Sequence, residues 1–306
     1  MKGIVLAGGK ATRLRPLTKI TSKQLLPVYN KPMIYYPIET LVKAGVTEIL
    51  IIIAPDYAGH FLNLLGTGSH FGAKFTYEIQ EEPRGLADAL IIGRNFIDDD
   101  SVALILGDNI FDDDFSADIQ SFTTGAMTFV KKVDDPERYG VVQFDADMRV
   151  ISIEEKPEHP KSNYASVGLY LFDNRASEIA VNLAPSKRGE IEINGDPSVN
   201  NTYLGLQELK AREITGMWED AGTFDSLLRA STLMSKKATP LEVVATTEAL
   251  TRPVLTSEAK KQYSVQSYIK SPTIEGVVIK DIPLFTDDGG YFMELGRFDI
   301  GLSQAF

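Results

Sequence analysis

Apolar residues in the first third of the chain come in short runs that are separated by longer mixed stretches. Four runs are predicted to form strands: KGIVLAGG, EILIIIAP, KFTYEIQ and SVALILGD. Several of them are apolar almost throughout, which is typical of strands in a parallel sheet covered on both faces. Helices are predicted between them, in KPMIYYPIETLVKAG, APDYAGHFLNLLGTG and GLADALIIGRNFI. This alternation indicates an α/β fold with an open, Rossmann-like, mixed but mainly parallel sheet flanked by helices.

The pattern changes at about Gly125. The runs AMTFVKKV, YGVVQFD, VISIEEKP and ASVGLYLFD predict strands without long helices between them, and TFDSLLRASTLMSKK predicts a helix. We therefore expect an antiparallel or mixed extension of the sheet. After about Lys237 the pattern weakens. We predict a main domain over residues 1–237 and a small β-rich C-terminal extension over residues 238–306.

Composition narrows the classes of partner. The 306 residues carry a net charge of −11, which argues against nucleic acid or an anionic membrane as a partner. The chain has no cysteine and three scattered histidines, so disulfides and thiolate metal sites are excluded. No run approaches membrane-spanning length and the N-terminus lacks a signal-peptide pattern, so we expect a cytoplasmic protein.

A glycine-rich loop follows the first predicted strand, in GGKATRLRPLT. Gly8 and Gly9 allow close approach of the backbone to a ligand, and successive N–H groups there can cradle an anion. Arg13 and Arg15 add charged donors for phosphate. The alternative is a solvated turn with surface arginines. A P-loop is excluded because Ala11 stands where its Ser or Thr would be, and the dinucleotide fingerprint is absent.

Two acidic residues follow strand-like runs. Asp108 in LILGDNIF comes directly after a buried strand, and Asp220 in MWEDAGTFD precedes a predicted helix. Carboxylates beside substrate phosphates are suitable ligands for Mg²⁺. The alternatives are a turn cap for Asp108 and a helix cap for Asp220. The two acids complete one metal site only if the fold brings them together.

A third candidate is Lys156, which follows two glutamates in SIEEKPEHPKSNYA. This lysine suits a phosphate, and a neighbouring glutamate suits sugar hydroxyls. The alternative is a solvated surface ion pair.

In order and spacing, these motifs closely resemble those of the glucose-1-phosphate thymidylyltransferases, members of the sugar-nucleotidyltransferase family. The resemblance covers about residues 1–237 and includes GGKATRLRPLT, SKQLLPVYNKPMIYYPIETL, LGDNIF, DPERYGVV, EEKPEHPKSNYA, RGEIEI and WEDAGT. It implies a nucleotide-diphospho-sugar transferase fold, with a nucleotide-binding part over about 1–124 and a sugar-binding part over 125–237. It also implies a homo-oligomer, a tetramer in this family.

The resemblance implies a reaction and a set of site residues. Glucose 1-phosphate attacks the α-phosphorus of dTTP in the presence of Mg²⁺, and dTDP-glucose and pyrophosphate form. UTP is the alternative nucleotide, because uracil shares the edge of the base that Gln80 would read. The alternative from another functional class is a regulatory protein that binds a nucleotide sugar without catalysis. The implied residues are Arg13 and Lys23 for catalysis; Leu6, Gly8, Gly9, Gln80 and Gly85 for the nucleotide; Asn109, Gly140, Glu155, Lys156 and Arg188 for the sugar phosphate; and Asp108 and Asp220 for Mg²⁺.

The chain departs from the family motifs at a few positions. Ala11 replaces the third signature glycine. Alanine pays about 1 kcal/mol for a positive φ, so we expect a slightly altered loop that still functions. Ser166 and Val167 replace a Val-Thr pair beside the sugar, and Glu219 makes the metal region more negative.

The C-terminal extension departs furthest. It does not match the family's regulatory helices, so inherited feedback inhibition is not expected. The stretch IEGVVIKDIPLFTDDGGYFMELGRFD resembles the N-terminal strands of dTDP-4-dehydrorhamnose 3,5-epimerases, with Gly289 in place of an arginine. We hypothesise that this stretch is part of a fused cupin domain and has no epimerase activity. The alternative is an unrelated hairpin.

Overall fold

The structure is a computed structural model that describes residues 1–9, 11–147, 149–237, 284–287 and 290–293. The chain divides into two compact units, Met1–Glu242 and Val243–Phe306. Within the described ranges, no helix is long and apolar enough to cross a membrane.

Thirteen strands and eight helices of the first unit are described. The strands are β1 (Lys2–Ala7), β2 (Pro27–Val28), β3 (Lys31–Pro32), β4 (Glu48–Ile53), β5 (Lys74–Ile79), β6 (Val102–Leu106), β7 (Asn109–Phe111), β8 (Ala126–Lys132), β9 (Gly140–Phe144), β10 (Val150–Glu155), β11 (Tyr164–Phe172), β12 (Leu209–Glu213) and β13 (Trp218–Asp220). The helices are α1 (Tyr35–Lys43), α2 (Ala58–Leu65), α3 (Asp88–Ile92), α4 (Arg94–Ile97), α5 (Ser116–Ser121), α6 (Arg175–Asn182), α7 (Val199–Gly205) and α8 (Phe224–Lys237).

Nine of these strands form one sheet. Its main path runs β10-β9-β11-β6-β1-β4-β5, and β8 pairs with both β11 and β12. β1 lies between β4 and β6 and is parallel to both, and β5 is parallel to β4. β11 is antiparallel to β6, β8 and β9. The predicted open sheet, with a parallel part and an antiparallel extension, is therefore confirmed.

Burial on both faces explains why the central strands are apolar at consecutive positions. Ile4 and Leu6 of β1 join the hydrophobic cluster on one face of the sheet, and Val5 and Ala7 join the cluster on the other. Side chains alternate between the faces of a strand, so a strand covered on both sides has no position for a polar residue. The helices flanking the sheet supply the apolar residues that complete both clusters.

Two predicted helices differ from the structure. The helix predicted from Lys31 begins only at Tyr35, because Lys31 and Pro32 pair with β2 as a short strand. The helix predicted in GLADALIIGRNFI is two short helices, α3 and α4, that meet at Gly93. A Cβ atom at Gly93 would lie 2.7 Å from Ile4 Cδ1, so the glycine permits close packing of this segment against β1.

Several short elements are not predicted by the sequence patterns. They are β2, β3, β7, β12, α5, α6 and α7, and β13 is indicated only as a strand-like run before Asp220. β7 and β13 have three residues each, too few for a period to be recognised. These two strands nevertheless pair with each other and shape the site described below.

In the second unit, the described elements are β14 (Leu284–Asp287) and β15 (Gly290–Met293), which pair as an antiparallel hairpin. The hairpin lies within the stretch that resembles an epimerase. A cupin fragment and an unrelated hairpin would both contain this pairing, so its origin stays a prediction. Gly289 and the other predictions for residues 238–306 lie outside the described residues.

Candidate active site

The candidate site lies at the carboxyl ends of the parallel strands. Gly8 directly follows β1, Gln80 follows β5 and Asp108 lies just beyond β6. In open α/β sheets this edge forms the crevice in which ligands bind. Three groups of predicted site residues are found around it.

The first group contains Arg13, which lies in a 3-10 turn, Thr12–Leu14, just after the glycine-rich loop. Ala11 precedes the turn in the left-handed region, with φ 46° and ψ 43°, and its carbonyl accepts a hydrogen bond of 2.8 Å from Thr18 Oγ1. A Cβ atom at Gly222 would lie 2.9 Å from Arg13 Nη2 and 2.8 Å from Asp220 Oδ1. The absence of a side chain at Gly222 therefore lets the guanidinium lie close to the acid. Lys10 lies outside the described residues.

Lys23 and Asp108 form a nearly buried ion pair. Lys23 begins another 3-10 turn, Lys23–Leu25, and its Nζ donates to Asp108 Oδ2. The side chains are 14% and 10% exposed. Burial by itself would raise the pKa of Asp108, but the charge and hydrogen bond of Lys23 outweigh burial and lower this pKa. Asp108 is thus held as a carboxylate next to a cation.

The pairing of β7 with β13 brings Asp220 beside Asp108. Asp220 lies opposite Asn109, and the N–H of Ala221 donates to the carbonyl oxygen of Asp108 at 3.0 Å. Asp220 Oδ1 is buried and has no hydrogen-bond partner. Burial, and then the negative charge of Asp108, raise the pKa of Asp220 to about 6. Two close carboxylates with an unpaired oxygen form a site suited to a cation.

Asn109 supports this acidic pair. Its Oδ1 accepts hydrogen bonds from the backbone N–H of Gly168 at 3.2 Å and from Trp218 Nε1 at 2.6 Å. Its Nδ2 donates to Asp108 Oδ1 at 3.1 Å. Both acceptor positions of the amide oxygen are therefore occupied by the protein, and Asn109 serves to orient Asp108 and Trp218.

The second group surrounds Gly8. A Cβ atom at Gly8 would lie 2.2 Å from Gln80 Oε1, so the glycine leaves room for this buried amide. Gln80 Nε2 donates to Asp88 Oδ2 at 2.9 Å. Gly85 has a φ of +112°, and a Cβ atom there would lie 2.3 Å from the carbonyl oxygen of Ile191. These two glycines hold the backbone close to neighbouring groups.

The remaining nucleotide-site residues differ in their surroundings. Leu6 is in β1 and belongs to a hydrophobic cluster. Gly9 has open space around the position of a Cβ atom.

The third group lies at the end of β10. Glu155 is paired with Gly140 of β9, and the next residue, Lys156, has a φ of +47° and places its Nζ 3.5 Å from Glu155 Oε1. Arg188 Nη2 lies 3.7 Å from the same oxygen and 2.9 Å from Glu192 Oε1. Burial raises the pKa of Glu155. Glu155, Arg188 and Glu192 line a cleft of about 520 Å³.

Gly140 is needed for close packing in this group, because a Cβ atom there would lie 2.5 Å from Asn194 Nδ2. Asn194 is buried, and its Nδ2 also donates to Tyr170 Oη at 3.3 Å. The sequence patterns did not indicate Asn194, Asp88, Glu192 or Trp218 as residues of the site. Glu192, Asn194 and Trp218 lie within or next to motif segments, whereas Asp88 lies in a predicted helix outside them. Trp218 contacts Asn109 from a distant segment, and Asp88 contacts Gln80 from a neighbouring element.

The model of the nucleotidyl transferase family matches residues 2–237 of this chain. The chain belongs to the nucleotidyl transferase family. The predicted fold, the enzyme class and the resemblance drawn from the motifs are confirmed by this match and by the relatives below. Residue 237, where the match ends, is also the last residue of α8.

Similar proteins agree with the family. The chain is 49% identical over 247 residues to the glucose-1-phosphate thymidylyltransferase of Neisseria meningitidis, covering 76% of this chain and 82% of that protein. It is 50% identical over 236 residues to the enzyme of the same name from Mycolicibacterium smegmatis, with coverage of 76% and 81%.

Two solved structures share the fold. One, from Bacillus anthracis, is described as a glucose-1-phosphate thymidylyltransferase in complex with sucrose; it has a TM-score of 0.72 and 45% identity, with coverage of 76% of this chain and 94% of that one. The other is a UDP-glucose pyrophosphorylase in complex with UDP-glucose, with a TM-score of 0.67, 25% identity and coverage of 77% and 98%.

Proposed function

We propose that this chain transfers the thymidylyl group of dTTP to α-D-glucose 1-phosphate, which yields dTDP-glucose and pyrophosphate. The observation that carries the proposal is the convergence of two cations, Arg13 and Lys23, with two acids, Asp108 and Asp220, at the crevice edge of the sheet. Relatives about half identical in sequence bear the name of this activity.

The chemistry requires positioning and charge neutralisation. An oxygen of the sugar phosphate attacks the α-phosphorus of dTTP, the bond between that phosphorus and the bridging oxygen breaks, and pyrophosphate leaves. The attacking oxygen is already anionic, so no protein nucleophile is needed. Arg13 stabilises the negative charge that develops on the α-phosphate and on the departing pyrophosphate, and Lys23 neutralises phosphate charge.

Asp108 and Asp220 are proposed to hold Mg²⁺. The buried, unpaired Oδ1 of Asp220 and its raised pKa of about 6 fit a cation bound at this point. Within the described ranges no third Asp, Glu or His joins them in a cluster, so the other ligands would be substrate phosphates and water. A bound Mg²⁺ would neutralise phosphate charge and make the α-phosphorus more electrophilic.

The two substrates are proposed to lie on opposite sides of this charged centre. The nucleotide side consists of Leu6, Gly8, Gly9, Gln80 and Gly85, with the Gln80 amide on the base. The sugar-phosphate side consists of Asn109, Gly140, Glu155, Lys156 and Arg188. Lys156 and Arg188 are the cations for the sugar phosphate there, and Glu155 is the acceptor for sugar hydroxyls. Asn109 acts through its orientation of Asp108.

Release of pyrophosphate from dTTP and glucose 1-phosphate tests the function, with UTP in parallel and with Mg²⁺ added or removed. We expect faster turnover with dTTP, and a loss of at least about 100-fold in Asp108→Asn and Asp220→Asn. Asp99→Asn, at an exposed acid, is the matched control and should turn over normally.

The possible outcomes separate the candidate functions. Faster turnover with UTP would retain the chemistry and change the nucleotide. No release with either nucleotide would overturn the proposal in favour of a nucleotide-sugar-binding regulatory protein. The expected homotetramer and cytoplasmic location stay predictions, and light scattering of the purified full chain checks the first.

A further inference from the structure

Resting on the proposed function, we propose that Asp88 selects the nucleobase by fixing the direction of the Gln80 amide. Asp88 is thus a positioning residue that acts through Gln80. It presents the amide oxygen of Gln80 to the base site, which favours a base that offers an N–H group at that point.

The contacts of Asp88 leave little freedom. Asp88 is fully buried and Gln80 is 4% exposed. Asp88 Oδ1 accepts a hydrogen bond of 2.7 Å from Arg84 Nη2, and Asp88 Oδ2 accepts one of 2.9 Å from Gln80 Nε2. Both oxygens of the carboxylate are therefore engaged, one by a guanidinium and the other by the amide.

The chemistry of these three groups determines which way the amide points. A guanidinium can only donate hydrogen bonds, and an ionised carboxylate can only accept them. The group that Gln80 turns toward Asp88 must therefore be its NH₂. The amide oxygen consequently faces Gly8, where it lies 2.2 Å from the position that a Cβ atom would take.

An acceptor at this point discriminates between pyrimidine bases. Thymine and uracil carry an N–H at ring position 3, which can donate to Gln80 Oε1. Cytosine carries an unprotonated nitrogen there, so two lone pairs would face each other. A site that hydrogen-bonds one partner rejects an analogue that leaves its buried group unpaired.

Asp88→Asn provides a directional test. Arg84 can only donate, so the new side-chain amide turns its oxygen toward Arg84 and its NH₂ toward Gln80. Gln80 then turns its oxygen toward that NH₂ and presents its own NH₂ to the base. We expect the ratio of kcat/KM for dTTP to that for dCTP to fall by about tenfold or more.

Asp173→Asn is the matched control. Asp173 is also a buried acid paired with an arginine, Arg175. It directly follows Phe172 of β11, which lies opposite Val102 at the amino end of β6, the edge of the sheet away from Asp108. This variant should leave the dTTP-to-dCTP ratio unchanged, so general loosening of a buried network would not imitate the effect.

Gln80→Leu is a second variant, and direct binding is a second measurement. Isothermal titration with dTTP and with dCTP, without sugar phosphate, gives the preference even in a protein that does not turn over. Absence of turnover would thus contradict the proposed function, while the binding ratio would still test the role of Asp88.

We expect the wild type to prefer dTTP, and Gln80→Leu to reduce that preference by about tenfold. A folded Asp88→Asn protein with the wild-type ratio would overturn the inference. Should Asp88→Asn fail to fold, an unchanged ratio in Gln80→Leu would overturn the inference, because Asp88 acts only through Gln80. A reduced ratio would support the contact of Gln80 with the base, on which the inference depends. Absence of a dTTP preference in the wild type would also overturn it.

Discussion

Asp220→Asn is expected to lower activity and raise stability, because the acid that would hold the metal is destabilising without it. Asp220 lies beside the carboxylate of Asp108, and its own Oδ1 is buried without a hydrogen-bond partner. An asparagine has nearly the same shape and no charge. The substitution therefore removes a buried negative charge from a site that needs one only when a cation is bound.

The raised pKa of Asp220 gives the size of the expected gain in stability. The pKa of Asp220 is about 6 in the folded protein and 3.8 in the reference state. A difference of about two units corresponds to about 3 kcal/mol of folding free energy at neutral pH. We expect the free energy of unfolding of metal-free Asp220→Asn to exceed that of the wild type by about 2 to 3 kcal/mol, since the buried amide has a small cost of its own.

The difference in stability between Asp220→Asn and the wild type should increase with pH. The folded state binds the proton of Asp220 more tightly than the unfolded state does, so the contribution of Asp220 to wild-type stability falls as the pH rises from about 4 to about 6. Asp220→Asn lacks this contribution. The advantage of the variant should therefore be close to zero at pH 4 and reach its full size above pH 7.

Urea unfolding followed by circular dichroism, with EDTA present, measures this difference. Asp108→Asn is the control at the same site, and it should be destabilising because it removes the partner of Lys23. Addition of Mg²⁺ should stabilise the wild type and have little effect on Asp220→Asn. Equal or lower stability of Asp220→Asn at pH 8, or a gain that is the same at pH 4, would refute the reasoning.

Three further predictions concern other parts of the first unit. Gly8→Ala should displace the Gln80 amide, lower the free energy of unfolding by about 1 to 3 kcal/mol and raise KM for dTTP. The control Gly59→Ala, at a position with open space around it, should have none of these effects. Urea unfolding and steady-state kinetics of the two variants check the prediction. Asp173→Asn should lower the free energy of unfolding by about 1 to 2 kcal/mol at neutral pH, because hydrogen bonds outweigh burial and lower the pKa of Asp173 to about 2. The loss should shrink as the pH falls from about 4 toward 2, which acid-unfolding curves measure. Ala11→Gly should keep its turnover and raise the free energy of unfolding by up to about 1 kcal/mol, because glycine adopts the left-handed conformation of residue 11 without strain. A marked loss of stability in urea would contradict this.

The sequence by itself determined the central strands and the class of fold. Strands β1, β4 and β6 are predicted because burial on both faces requires apolar residues at consecutive positions. The residues of the site were indicated by motifs that resemble a family. Local pattern alone left each of them with an alternative, since an aspartate that holds a metal and one that caps a turn look the same in sequence.

Only the tertiary structure decided how these residues act together. The pairing of β7 with β13 sets Asp220 beside Asp108 and raises its pKa, and neither strand has enough residues to show a pattern. The contact of Asp88 with Gln80 likewise depends on the way α3 packs beside the end of β5. Local periodicity reports which face of an element is buried. The distances and charges that set chemistry come from contacts between separate elements, which only packing brings together.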